Sequence, residues 1–221
     1  SELNLGVPSL FILKSVLAEP DIHKSNLELT RKVAELANDF GMGSEPVISM
    51  GIGGRTALWE KQKGQIVDLL GDYAKLASDE GFIMAVEAHV NAAVDRIDRA
   101  IWLMETVDNP RIRLHFDIVH FFLAGEMIEE SVHKLVPYTA HTHVTDARRH
   151  EKGFELVLLG QGELDCTKYI NAMHGAGWTD FITVEVSTMV WSKEDYDPIE
   201  AAIFSYNTLD KSFKEAGVPR T

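Results

Sequence analysis

The sequence predicts an α/β fold, a TIM-type (β/α) barrel of parallel strands forming a single domain over residues 1–221. Three observations carry that expectation. Short apolar segments rich in β-branched residues alternate with longer stretches of helical periodicity, as parallel strands joined by helical crossovers require. Four of the strand-like segments end in a residue able to hold a divalent cation, Glu87, Asp117, His143 and Glu185, and a parallel barrel gathers the carboxyl ends of its strands on one face. No low-complexity linker or break in composition divides the 221 residues, and 45% hydrophobic content suffices for one substantial core.

The elements follow in order. A first strand is expected at Leu5–Ile12 and a helix near Ser25–Phe40, where Leu29, Val33, Leu36, Ala37 and Phe40 recur at helical spacing and Gly41 offers a stop. A second strand, Pro46–Met50, leaves through Gly51-Ile52-Gly53-Gly54 into a helix from Trp59 to Asp79. Strand Phe82–Ala88 precedes helix Asp95–Val107, with Asp95 placed to cap it. Strand Ile112–Ile118 precedes a helix near Ile128–Leu135, ended by Pro137. Strand Thr139–Val144 runs into a longer polar loop, Asp146–Gly162, and then helix Cys166–Gly175. The last strand, Phe181–Ser187, feeds a loop containing Trp191 and a final helix, Pro198–Ala216.

That gives six βα units, whereas a closed barrel takes eight and typically about 250 residues. An open arrangement leaves two strand edges unpaired, which proteins cover or close. Either two units are missing from the front, making the domain N-terminally incomplete, or another polypeptide (a second copy or a partner) completes the barrel.

Composition narrows the function. A formal net charge of −13 opposes a nucleic-acid surface, which needs clustered Lys and Arg. The lone Cys166 excludes an internal disulfide and a Cys-based zinc site and fits a reducing compartment. No apolar run approaches the roughly 20 residues of a membrane span, and no basic-then-apolar signal opens the sequence. The expected location is cytoplasmic, with no membrane partner.

Glu87, Asp117, His143 and Glu185 form a mixed oxygen and nitrogen set that suits Mn²⁺, Mg²⁺, Co²⁺, Fe²⁺ or Zn²⁺. Taken singly, each carboxylate reads as a helix cap or loop ion pair, and a lone inward His as a hydrogen-bonded core residue. Four on separate βα units point together to one cation. His89, two residues past Glu87, points to the same side if the strand extends that far; it is either a substrate group or a loop histidine. His141 and His115 read as barrel filling. Gly51-Ile52-Gly53-Gly54 reads as a flexible strand exit rather than a phosphate cradle, because no Lys-Ser/Thr follows. Trp59, Met189 and Trp191 suit the wall of a sugar site or ordinary packing.

The ordered motifs Val86-Glu87-Ala88-His89, Asp117-Ile118-Val119-His120, His141-Thr142-His143-Val144-Thr145-Asp146, Gly160-Gln161-Gly162-Glu163-Leu164-Asp165 and Gly177 through Glu185 give the chain its likeness. It resembles the sugar phosphate isomerase/epimerase family with the xylose-isomerase-like barrel, over nearly its whole length. The resemblance implies one divalent metal, commonly Mn²⁺, held by Glu87, Asp117, His143 and Glu185. It also implies that the first strand here corresponds to the family's third. The implied activity is isomerisation or epimerisation of a sugar or keto sugar, by proton abstraction through a metal-stabilised enediolate. Glu87 and Glu185 inherit the acid/base roles, while His120 and Arg149 inherit substrate contacts; Arg149 read alone is an exposed loop arginine beside Arg148. The implied partner is a small sugar or polyol in carbohydrate metabolism.

The pattern also departs from parts of the family. Ketohexose 3-epimerases carry a glutamate where Ala93 stands, and the Glu-Pro-x-Asn run of hydroxypyruvate isomerases is absent, since Ala88 and His89 follow Glu87. A lyase or dehydratase acting on an inosose or 3-keto sugar through the same site is the alternative. A DNA-repair nuclease shares the barrel but needs extra histidines that Leu5–Ile12 and Pro46–Met50 lack. A non-catalytic or incomplete barrel subunit is the remaining reading.

Overall fold

A computed structural model describes residues 6–42 and 45–220. Its contacts divide the chain into two compact units. One holds the chain through Phe116 together with Tyr138–His141, the other Asp117–Pro137 and the chain from Thr142 onward.

In the first unit, parallel strands β1 (Leu10–Ser15), β2 (Val47–Gly51), β3 (Ile83–Glu87) and β4 (Ile112–Asp117, its last residue in the second unit) lie side by side in sequence order. The register aligns Ile12, Met50, Val86 and Leu114 in one row, all buried. Because strand side chains alternate, the next row, Gly51, Glu87 and His115, faces the opposite side. Three helices return the chain between strands: α1 (Pro20–Asp39), α2 (Trp59–Glu80) and α3 (Ile97–Val107). The Tyr73 hydroxyl of α2 reaches Met50 Sδ at 3.6 Å, so the aliphatic row faces the helices.

Several boundaries differ from the sequence reading for identifiable reasons. β1 starts at Leu10 rather than Leu5, which lies outside the described residues; Gly6 and Pro8 precede it, and proline brings no N–H to a ladder. Helix α1 starts earlier, at Pro20, whose ring fits the first turn. Its buried face is His23, Asn26, Thr30, Ala34 and Ala37, while Leu29, Leu36 and Phe40 are exposed. Polar anchors decide this. His23 Nε2 lies 2.9 Å from Asp72 Oδ2, Asn26 donates to the Ser15 carbonyl, and small Thr30, Ala34 and Ala37 permit close approach. Asp95 does not cap α3, whose N-cap is Arg96. Its Oδ1 instead accepts from Arg96 Nε at 3.1 Å and Arg99 Nη1 at 3.0 Å.

The glycine-rich exit from β2 is a tightly packed crossing. Gly53 and Gly54 hold φ near +80°. A Cβ on Gly53 would come within 2.8 Å of Ser15 Cβ, and one on Gly54 equally close to Ala93 Cβ and Gln62 Oε1. Only glycine fits either position.

In the second unit, β5 (Thr139–Val144, its first half in the first unit) pairs in parallel with β8 (Ile182–Val184), matching His143 to Thr183. Between them run α6 (Cys166–Gly175) and an antiparallel hairpin of β6 (Asp146–His150) and β7 (Gly153–Val157). This hairpin replaces the expected polar loop. Its alternation was hidden because Arg148, His150 and Glu155 line the outward face and a further charge, Arg149, interrupts the inward one, where Ala147 and Leu156 pack on Val119. Helix α4 (Ile118–Leu123) begins directly at the end of β4; α5 (Ile128–Leu135), α7 (Thr188–Trp191) and α8 (Pro198–Ala216) complete the unit. Asp197 caps α8 by accepting from the N–H groups of Ile199 and Glu200. Among the described residues, no helix is long and apolar enough to cross a membrane.

Candidate functional site

Asp117 is the junction of β4 and α4, and its two oxygens have separate tasks. Oδ1 accepts the Val119 N–H at 2.9 Å and so caps α4. Oδ2 is thereby aimed away from the helix, 3.1 Å from His143 Nε2 and 3.6 Å from His120 Nε2. Asp117 is fully buried and His120 nearly so.

His143 sits on β5, one residue before its end. Glu185 follows β8, where its N–H donates to the Val144 carbonyl at 3.0 Å. Because His143 is paired with Thr183, Glu185 lies two residues further along the same side of the neighbouring strand. Its Oε2 is 3.7 Å from His143 Nε2. Ligand atoms of Asp117, His143 and Glu185 all lie within 4.8 Å of one another. The burial is graded: Asp117 at 0%, His143 at 10% and Glu185 at 36% side-chain exposure. Glu185 is therefore the member that an incoming molecule meets.

The donor chemistry fits a divalent cation. Carboxylate and imidazole ligands sit about 2.0–2.2 Å from such an ion, so ligand atoms 3 to 4 Å apart already have suitable spacing. A single imidazole N–H cannot serve both carboxylates at once, whereas a doubly charged ion balances both.

Glu87 ends β3 in the first unit, buried and beside His115 across the register. His115 also packs edge-on against Phe11 and against His141, with ring centroids 5.5 and 5.0 Å away. His89 stands in the tight turn after β3, where its Nδ1 is 2.8 Å from the Val90 carbonyl and its N–H meets Val94. Ala93, the departure from the epimerase pattern, is fully buried against Gly54. Trp59 is a packing residue, set edge-on to Trp102 with Arg99 above it, while Met189 and Trp191 lie half exposed on α7 just beyond Glu185.

Arg149 is carried by β6 toward α4. Its guanidinium stacks 3.9 Å over the Phe122 ring, and its Nη2 donates to the Phe122 carbonyl. Glu163 grips it at two points, accepting the Arg149 N–H at 2.8 Å and Nη1 at 3.3 Å. Behind this pair, the buried Asp146 carboxylate accepts four backbone N–H groups, those of Ala147, Gly160, Gly162 and Leu164, at 2.8 to 3.0 Å. No spacing rule signals the Glu163 grip, since the loop after β7 brings together residues 14 apart.

Comparison with known proteins agrees with this architecture. The profile of the xylose isomerase-like TIM barrel matches residues 5–204. The chain belongs to that family and has its parallel (β/α) barrel fold. It is 26% identical over 133 residues to an inosose isomerase of Bacillus subtilis (strain 168), covering 58% of this chain and 48% of the relative. It is 24% identical over 162 residues to an inosose dehydratase of Geobacillus thermodenitrificans (strain NG80-2), covering 66% and 52%. The chain thus spans about half the length of the curated relatives it matches. A crystal structure of a protein called IOLI with a bound zinc atom superposes with a TM-score of 0.70 at 19% identity, covering 94% of this chain and 75% of that one.

Proposed function

We propose that the protein is a divalent-metal-dependent isomerase or epimerase of a keto sugar or keto polyol, working by proton transfer at the carbon beside a carbonyl. The convergence of Asp117, His143 and Glu185 at strand ends carries this reading. The inosose-directed names of the relatives support an uncharged cyclic polyol ketone as substrate. Glu87 is assigned as a fourth donor because it ends β3 as Asp117 ends β4. Mn²⁺ is the assigned ion, with Mg²⁺, Co²⁺, Fe²⁺ and Zn²⁺ also suited to these donors.

Such an ion, when bound, polarises a carbonyl and acidifies the neighbouring C–H. Glu185, the exposed member, takes or returns the proton, and Glu87 serves the opposite face of the carbon. His120, held on Asp117, and Arg149 hold substrate oxygens; His89 is the further assigned contact. A dehydratase reading uses the same proton abstraction followed by loss of a β-hydroxyl, and the relative named as inosose dehydratase favours it. The exposed Leu13, Ile22, Leu29 and Leu36 of the first unit support additional polypeptide packing there.

The test is deuterium wash-in from D₂O across a panel of inososes and keto sugars, with metal-free and Mn²⁺-loaded protein. Exchange at one carbon, dependent on the ion and lost in Glu185→Gln, is expected. Metal-free exchange, or none with any substrate, overturns the reading.

A further inference from the structure

We propose that Glu163 is a positioning residue that holds Arg149 as a neutral pair, and that the site is thereby set for a substrate presenting hydroxyls rather than phosphate or carboxylate. This rests on the reading of Arg149 as a substrate contact and narrows the substrate class.

The geometry points this way in three steps. Glu163 cannot drift: its own N–H donates to the Ala147 carbonyl at 2.9 Å, and its neighbours Gly162 and Leu164 are pinned by the buried Asp146 carboxylate. That pin demands glycine, because a Cβ at Gly162 would lie 2.2 Å from Asp146 Oδ1. The backbone of Glu163 is therefore fixed, and its half-exposed carboxylate is fastened to Arg149 through both the Arg149 backbone N–H and the guanidinium.

Arginine recognises anions through paired N–H groups on a planar fork. Here Nη1 is committed to a carboxylate, and Nη2 to the Phe122 carbonyl at the end of α4. Two of the five guanidinium N–H groups are thereby engaged, and the positive charge that would hold an anion is already matched by Glu163. The charges agree with this. Glu163 cancels Arg149, and the donor set carries two carboxylates, Asp117 and Glu185, that a divalent ion would balance. Among these groups no surplus positive charge is left for an anionic substrate.

Two measurements test the proposal. In the first, inorganic phosphate is titrated into the metal-free protein and followed by ³¹P line broadening. Wild type should bind little up to about 10 mM, and Glu163→Gln about tenfold tighter, a gain that adding Arg149→Gln should remove. Equal phosphate affinity in wild type and Glu163→Gln overturns the proposal even if no substrate turns over. In the second, kcat/KM is compared for a neutral keto sugar and its phosphate ester. Wild type should favour the neutral compound, and Glu163→Gln should move the ratio about tenfold toward the ester. A wild-type preference for the ester overturns the proposal without needing a variant, whereas loss of exchange with both compounds speaks against the isomerase reading instead.

Discussion

Asp95 in the first unit and Asp117 in the second are both buried carboxylates next to a helix start, yet their surroundings have opposite chemistry. Asp95 meets two guanidiniums, from Arg96 and Arg99, and Arg99 Nη1 also donates to the Thr56 hydroxyl and the Ala93 carbonyl. Its charge is balanced within the protein, and the network ties the turn after β3 to α3. Asp117 spends one oxygen on a helix cap and turns the other toward His143 and His120, with a second carboxylate from Glu185 across the same imidazole. We read the acid beside arginine as structural and the one that shares an imidazole with Glu185 as suited to a cation.

The largest effect is expected at Asp117. Asp117→Asn or Glu185→Gln should lower turnover by about a thousandfold or more, since one ligand also positions or moves the proton. Each should also abolish the rise in melting temperature expected of wild type on adding Mn²⁺, measured by calorimetry beside metal analysis of the dialysed protein. Undiminished metal content in Asp117→Asn would remove this residue from the donor set. Glu87→Gln sharpens the same point: a comparable loss of metal makes it the fourth donor, and an unchanged metal content excludes it.

Arg99→Ala should do the reverse. Removing a buried carboxylate's partner costs about 3 kcal/mol, seen as a lower urea midpoint, while metal content stays at the wild-type level. Ala93→Glu should also destabilise, by about 2 kcal/mol or more, because it places a carboxylate in a fully buried position against Gly54. If Ala93→Glu folds as well as wild type and gains ketohexose epimerisation, the packing account of this departure is wrong.

Much of the fold was legible in the sequence because short strand-like segments alternate with helical periodicity: five of the six expected parallel strands lie within three residues of their observed bounds, while the first overlaps only at Leu10–Ile12. Asp117, His143 and Glu185 lie at strand ends as the sequence reading places them, because a strand end fixes both place and direction. What escaped depends on contacts remote in sequence. The outward stripe of α1 looked like the inward one, since the polar His23 and Asn26 rather than the leucines anchor the helix. The hairpin was masked by its charged outer face, and the Asp146 pin joins residues up to 18 apart through backbone groups that carry no side-chain signature.

The smallest expected effect concerns a polar pair that lies close to the donor set in sequence yet is structural. Thr142, beside His143 on β5, shares a 2.7 Å hydrogen bond with the hydroxyl of Tyr169 on α6, a fully buried ring. Burial holds that phenol well above the ordinary tyrosine range, so it stays protonated across the working pH and cannot act as a base. Tyr169→Phe keeps the ring and forfeits one buried hydrogen bond. It should cost about 1 kcal/mol in urea unfolding and leave deuterium exchange and its pH profile unmoved. A displaced pH profile would instead make Tyr169 part of the proton path, and the division between structural and reactive polar groups would have to be redrawn.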